Sequence, residues 1–518
     1  MPKPVQASLY TFRDIIAGGF VYVDKTRTIH ELVRYNKGVN FLARPWRFGK
    51  SLLLSTLDEL LRGNRASFQG LWIDSSDYVW DAHPVVRIDF SRFQAQSAGD
   101  LEVRLQFYLI QIAQEYGLSL NQAPSDILFV DLIVQLSRQG QVVLLIDEYD
   151  KPILDNITDL PTANAIRDRL KGFYTTIKSL DQYLRFVFIT GISKFSRVGL
   201  FSGMNNLDDL TADARFATLL GLTEEEVQSY FQEHIAAIAA AKGRSPQEIM
   251  AQIRHWYDGY CFVPEGPNVY NPFSTLQLFV QQRFANYWFE TGTPTFLLKL
   301  LKERDYDVSE LDDLRVREMA FSTYEIETLS ILPLLFQTGY LTIKGYEPTR
   351  RIYTLGYPNF EVEEAFIAYL LAEFNEQERS INDTYLWRLI DALEVHNLER
   401  FFTILSTFFA NVPYDIHIKH EKYYQTIFYL IFKLIGTVID AEARTNNGRI
   451  DAVISLPDRI YLFEFKVDGS AQAALEQIEE EKYYEKFQMD ARPTTLIGVN
   501  FDSRSRQMNE WVSRSVGK

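Results

Sequence analysis

The sequence predicts an α/β protein in which a helix-covered parallel sheet comes first, a mostly helical stretch follows, and a smaller α/β unit closes the chain. Three observations predict it. Strand and helix signals alternate through the first 220 residues, helical patterns then dominate to about residue 345, and residues 411–518 return to apolar alternation around a short turn. With 518 residues, 47% of them hydrophobic, the chain exceeds what one core can hold, so roughly two to four domains are expected. A net charge of −15 excludes a protein that coats nucleic acid through bulk positive charge, and any such contact must be local. The single cysteine, Cys261, excludes a disulfide framework, and the seven histidines are scattered without zinc spacing. Cys261 reads as a core residue of a cytoplasmic protein, with only His255 near it in sequence. No signal peptide is expected, because "MPKPVQASLYTFRDIIAGGF" meets Arg13 and Asp14 before an apolar run develops. "TIFYLIFKLIGTVI" (426–439) is broken by Lys433 and falls short of the roughly 20 residues a bilayer requires, so it is expected as a buried helix and no membrane contact is expected.

Taken in chain order, the expected strands of the first unit are "VNFLA" (39–43), "PVVRIDF" (84–90), "QVVLLID" (141–147), "LRFVFITG" (184–191) and "FATLLGL" (216–222). Helical patterns cover 50–62, 100–116, 125–138 and 161–180. The middle region opens on the capping signal "LTEEEV" and is interrupted by Gly/Pro-rich 258–274. Residues 329–366 read as helix, strand, turn, strand, helix, an order that resembles a winged helix. Helices are expected over 361–376 and 383–408. The expected domains are 1–222, a helical lid and winged-helix-like region 223–375, a helical linker 376–410, and 411–518.

The first chemistry lies at "ARPWRFGKS" (43–51), which nearly spells the phosphate-binding pattern G-x-x-x-x-G-K-[ST]. In such loops backbone N–H groups surround phosphate, a lysine reaches the terminal phosphates and a hydroxyl ligates magnesium. Lys50 and Ser51 match the last two roles. Gly49 lets the backbone come close, and the helix beginning near Lys50 turns its positive end toward the anion. Arg44 occupies the first glycine position, so the entry turn must be built differently, with Pro45 as a rigid element. Arg44 and Arg47 add positive charge for phosphate. The second element, "VVLLIDEYDKP" (142–152), is a buried strand that delivers Asp147 to hold magnesium and Glu148 to polarise the attacking water. The competing reading is a strand end with a solvated acidic turn. "FITGISKFS" places Thr190 and Ser193 where a polar group can sense the γ-phosphate, although structural capping explains Ser193 equally well.

The second chemistry lies in "GRIDAVISLPDRIYLFEFKVDG" (448–469). Alternation makes it a hairpin with Ile450, Ala452, Ile454, Tyr461, Phe463 and Phe465 on one face and Asp451, Glu464 and Lys466 on the other. A turn centred on Pro457-Asp458 sets residues whose numbers sum to 915 opposite each other. Asp451 and Glu464 are then cross-strand neighbours, about 4.5 to 5.5 Å apart at Cβ. Like charges so placed call for a cation, and magnesium meets that need, with Lys466 positioned to assist a hydroxide nucleophile. Asp followed by Glu-x-Lys is the PD-(D/E)XK nuclease signature; a solvated sheet face is the competing reading. In that fold the preceding helix often supplies an acidic ligand, here Glu421 with Glu442 as its rival, and the following helix a supporting glutamine, here Gln477. Tyr483 and Tyr484 are expected to pack or lie on the surface.

Beyond these two sites, "FVYVDKT" (20–26), "RPWRFGKSLLLSTL" (44–57), "LLIDEYDKPI" (144–153), "FITGISKFS" (188–196), "WYDGYCF" (256–262), "YNPFS" (270–274) and "YWFETGTP" (287–294) together resemble the bacterial AAA-ATPase-like family that carries a C-terminal PD-(D/E)XK nuclease-like domain. The match runs in order along nearly the whole chain. That family typically shows "RPRRFGKS", which makes Arg44 a family trait and Trp46 this chain's own departure. The resemblance implies an AAA-like P-loop NTPase core joined to a restriction-endonuclease-like domain, with ATP and Mg2+ as cofactors. The expected activity is an ATPase coupled to magnesium-dependent cleavage of nucleic acid, DNA ahead of RNA, and oligomerisation is compatible with it. The rival expectation is a nucleotide-dependent regulator whose C-terminal domain binds without cutting.

Overall fold

The computed structural model describes residues 2–35, 38–193, 200–201, 206–289, 295–304, 306–318, 331–410, 420–446, 449–487, 489–502, 505 and 507–516; for Glu421, Glu442, Asp451 and Tyr483 it describes the backbone alone. The chain divides into two compact units, residues 1–292 with 313–362, and residues 293–312 with 363–518.

The first unit is built on a five-stranded parallel sheet. Its strands are β1 (Val39–Ala43), β2 (Val85–Asp89), β3 (Val142–Asp147), β4 (Leu184–Gly191) and β5 (Leu207–Asp209), in the order β2-β3-β4-β1-β5. β1 and β3 are buried along their whole length, as strands covered by helices on both faces must be. The β1 and β4 spans match the expected ones, and β2 and β3 each lose a flanking residue or two. The fifth strand corrects the sequence reading: residues 216–222 form a 3-10 turn and irregular backbone, and the short, polar "LDD" pairs with β1 instead. Phe216, Leu219, Leu220 and Leu222 are buried all the same, so the apolar run reports burial and not pleating. Gly221, at φ +90, has no room for a Cβ against Val269, and that ends any extended run.

The helices Glu224–Tyr230 and Pro246–Tyr257 each begin with a reciprocal capping box, Thr223 with Glu226 and Ser245 with Glu248. They form a second core with helix Pro272–Gln281 around Phe231, Ile253, Tyr257 and Phe279. A small antiparallel sheet follows, made of β6 (Leu314–Arg317), β7 (Thr342–Glu347) and β8 (Ile352–Gly356) in the order β6-β8-β7. Helix Ile331–Thr338 precedes β7 and helix Phe360–Asn375 follows β8, which is the helix, strand, turn, strand, helix order anticipated; β6 was not.

The second unit is a mixed sheet of β9 (Asp440–Asn446), β10 (Arg449–Ser455), β11 (Ile460–Val467), β12 (Thr494–Asp502) and β13 (Gln507–Val516), ordered β13-β12-β11-β10-β9 with only β11 and β12 parallel. On one face Phe463 and Phe465 meet Phe401, Phe402, Phe428 and Phe432 from helices Leu398–Ala410 and His420–Val438. The expected 383–408 helix is in fact two, Arg379–Glu394 and Leu398–Ala410. His396 takes a left-handed φ of 57° and Asn397 caps the second helix, its side chain accepting from Arg400 N. Among the described residues no helix is long and apolar enough to cross a membrane.

Candidate nucleotide and carboxylate sites

The segment after β1 turns sharply and enters helix Lys50–Leu61, whose N-cap is Gly49 at φ +90. A left-handed backbone recurs at Arg47, φ 63, but not at Arg44, so the position without its customary glycine makes no demand for one. Arg44 is buried. Its Nη1 donates to Ala43 O and Thr211 O at 2.9 Å, and its guanidinium lies 4.2 Å from the centre of the Phe262 ring. Burial pulls its pKa down to about 9, which leaves it cationic at neutral pH. Arg47 is exposed and stacks 4.4 Å over Phe273. Lys50 Nζ folds back and donates to the carbonyls of Arg44 and Pro45, both at 2.9 Å. Burial lowers the lysine's pKa, opposed by Glu148, Asp147 and Asp150.

β3 and β4 bring the remaining predicted groups to the same sheet edge. Ser51 Oγ donates to Asp147 Oδ2 at 2.7 Å, and Thr190 Oγ1 donates to Asp147 Oδ1 at 2.7 Å. β4 lies between β1 and β3, so Thr190 stands between the loop and the acidic strand end. Glu148 leaves the strand at φ 50, a strained conformation for a residue with a Cβ. Its pKa is pushed up to about 7, chiefly by burial and further by Asp147 and Asp150, with Lys50 opposing. A solvated acidic turn does not describe Asp147, which is 2% exposed; Glu148 is half-buried.

Sequence reasoning missed Asp150. Its buried carboxylate accepts Ser193 N at 2.8 Å, Ser193 Oγ at 2.7 Å and Ile192 N at 3.1 Å, tying the exit of β3 to the exit of β4. Ser193 is therefore engaged with Asp150. Gly191 is required beside them, since a Cβ there would lie 2.4 Å from the Tyr149 ring. The signal was present in "DEYD", but a carboxylate that faces inward cannot be told from a solvated one by spacing. A cavity of about 110 Å³ borders Gly49 and the first turn of its helix, lined by apolar groups that include Tyr22, Phe48, Leu52, Leu220 and Leu222.

In the second unit the hairpin has the anticipated register. Asp451 pairs directly with Glu464, Ile450 with Phe465 and Ser455 with Ile460, around a turn in which Leu456 N donates to Arg459 O. Glu464 is fully buried, so its face of the sheet is not a solvated one. Helix Ala471–Glu480 covers it, packing Leu475 and Ile478 against Leu462 and Leu496. That helix can sit close because Gly498, the register partner of Glu464, leaves no side chain in its way; a Cβ there would lie 2.1 Å from Ala471 O. Gln477 from the same helix is buried, and its Nε2 has no hydrogen-bond partner among the described residues. Lys466 is half-buried two positions beyond Glu464 and pairs in register with Asn500. The side chains of Asp451, Glu421, Glu442 and Tyr483 lie outside the described residues. Tyr484 packs against the Leu462 cluster, and Cys261 is a buried free thiol whose Sγ donates to Val263 O.

Comparison with known proteins finds two family matches in the expected order along the chain. Residues 7–201 match the family described as Predicted AAA-ATPase, and residues 419–511 match the PD-(D/E)XK nuclease superfamily. A protein of Azotobacter chroococcum mcd 1, described as "Uncharacterized protein in vnfD 5'region", is 38% identical over 533 residues, covering 99% of each chain. The chain belongs to the AAA-ATPase-like family whose members join that domain to a C-terminal PD-(D/E)XK nuclease-superfamily domain.

Proposed function

We propose that the protein binds and hydrolyses ATP at the loop after β1 and cleaves nucleic acid at the β10–β11 hairpin, with DNA the preferred substrate. The observation that carries the nucleotide half is the direct linkage of Ser51, Asp147 and Thr190 beside Lys50. A hydroxyl and a carboxylate that converge in this way suit a divalent ion, as does the buried Glu464 set against Asp451. Ser51 and Asp147 would hold magnesium at the first site, and Asp451 and Glu464, with Glu421, at the second. Bound there, magnesium would neutralise phosphate charge and acidify water. Lys50 is assigned to the terminal phosphates, Glu148 to orienting the attacking water, and Thr190 to the γ-phosphate. The apolar cavity beside Gly49 is assigned to the nucleobase. Lys466 supports the attacking water at the second site and Gln477 orients the groups around it. The helix, strand, turn, strand, helix order read at 329–366 is taken as a winged-helix-like module, and the whole as a cytoplasmic protein.

Calorimetry with MgATP, run beside incubation of DNA and RNA with magnesium or manganese, tests the reading. Asp451→Ala and Lys466→Ala should abolish metal-dependent cleavage and leave ATP binding intact. Unchanged cleavage by either variant removes the nuclease assignment. Trp46 and the net charge of −15 favour a second reading, a nucleotide-dependent regulator that binds without cutting. Nucleotide binding with no cleavage of any substrate would select it.

A further inference from the structure

Two aromatic motifs, "WYDGYCF" and "YNPFS", and the first three residues of a third, Tyr287, Trp288 and Phe289 of "YWFETGTP", take no part in the chemistry described so far, yet the first unit brings residues of all three to the phosphate loop; residues 290–294 lie outside the described residues. Tyr260 and Phe262 of the first enclose Phe48, with ring centres 4.8 and 5.4 Å away, and Phe262 also backs Arg44. Phe273 of the second backs Arg47. From the third, the buried Trp288 donates its indole Nε1–H to Trp46 O at 2.9 Å. One residue earlier, Pro45 abuts Gly339, the left-handed glycine that ends helix Ile331–Thr338; a Cβ on Gly339 would stand 2.7 Å from Pro45 Cβ. Trp288 is itself anchored, its backbone N–H donating at 2.7 Å to Glu361, a buried carboxylate that also accepts Ser274 Oγ at 3.0 Å.

The geometry points to Trp288 as a positioning residue for the phosphate loop: its indole holds the Pro45–Trp46 turn from outside, while Gly339 sets how close the turn can come. Resting on the nucleotide-binding reading above, this explains how a loop without its first glycine keeps a defined shape. In the usual loop, glycine conformations and hydrogen bonds within the loop hold the entry turn. Here an external donor and a close-packed helix end hold it. The two carbonyls that accept Lys50, those of Arg44 and Pro45, belong to this same turn. When Lys50 moves to a phosphate, they lose a buried donor, and the clamp keeps the turn in place.

Trp288→Phe keeps a ring and removes the donor; Gly339→Ala pushes on Pro45. In nucleotide-free full-length protein, both variants should speed hydrogen exchange in the 44–54 peptide several-fold, with the β10–β11 peptides unchanged. MgATP should bind roughly five- to tenfold more weakly to Trp288→Phe, the loss of about one hydrogen bond. Adenosine, which carries no phosphate, should bind both proteins alike. Unaltered exchange in the loop peptide of both variants overturns the proposal, as does a loss of adenosine affinity equal to that of MgATP. Faster exchange in a protein whose wild type binds no MgATP would remove the nucleotide reading and the positioning role with it, a result distinct from failure of the clamp alone.

Discussion

Glu148→Gln removes one charge from the acidic end of β3 and changes little else in shape. Glu148 ordinarily would ionise near 4.5, and its surroundings raise this to about 7. The difference corresponds to about 3 kcal/mol of ionisation penalty above pH 7. Partial exposure reduces what unfolding will register, to about 1–3 kcal/mol. The sign follows from proton counting. Between pH 4.5 and 7 the folded state holds a proton that the unfolded chain has released, so this group's contribution is complete below 4.5 and is lost as pH rises through 7. Urea denaturation of both proteins at pH 5 and pH 8 is the assay. Glutamine should match the wild type at the lower pH and be the more stable protein at the higher. Under the proposed role the variant should also keep MgATP affinity and lose at least about 100-fold in hydrolysis. A stability difference that is the same at both pH values would refute the buried-carboxylate account. Wild-type turnover by the variant would remove Glu148 from the reaction.

Ser51→Ala leaves Asp147 Oδ2 without its hydroxyl donor; we expect a loss of about 1–2 kcal/mol in unfolding and roughly tenfold weaker MgATP binding by calorimetry. Arg44→Gly, which restores the usual phosphate-loop glycine, should destabilise the protein by about 1–2 kcal/mol and fail to tighten MgATP, because Arg44 needs no special φ and its guanidinium packs on Phe262. Under the proposed metal role magnesium should raise the melting temperature of the wild type, and Glu464→Gln should lose the part of that rise that comes from the hairpin site. His396→Ala should loosen the hairpin turn, where the imidazole lies 2.7 Å from Asp458 Oδ2 and 3.2 Å from Tyr461 OH, and faster exchange confined to the β10–β11 peptides would register it.

Both sites were legible in the sequence to the extent that their groups are close in chain or tied by strand register. The Asp451–Glu464 pairing followed from alternation and a turn at Pro457-Asp458, since a period of two leaves no freedom once the turn is placed. The acidic and polar strand ends followed from apolar runs that end in Asp-Glu and Thr-Gly, and the loop from Gly-Lys-Ser at a helix start. Residues 216–222 misled because burial and pleating both favour apolar side chains, and the true fifth strand, "LDD", carries no such signal. The helix break at His396 escaped notice because no Gly or Pro marks it.

The sequence by itself determined which groups gather at the helix start after β1 and which carboxylates share a strand pair, because those follow from local geometry and period. Tertiary structure alone decided the rest. It turned Asp150 inward to join two strands, buried Glu464 beneath a helix that Gly498 lets approach, and set Trp288 and Gly339 against a loop more than 240 residues away in sequence. Such contacts depend on where separate elements pack, and no local pattern encodes that.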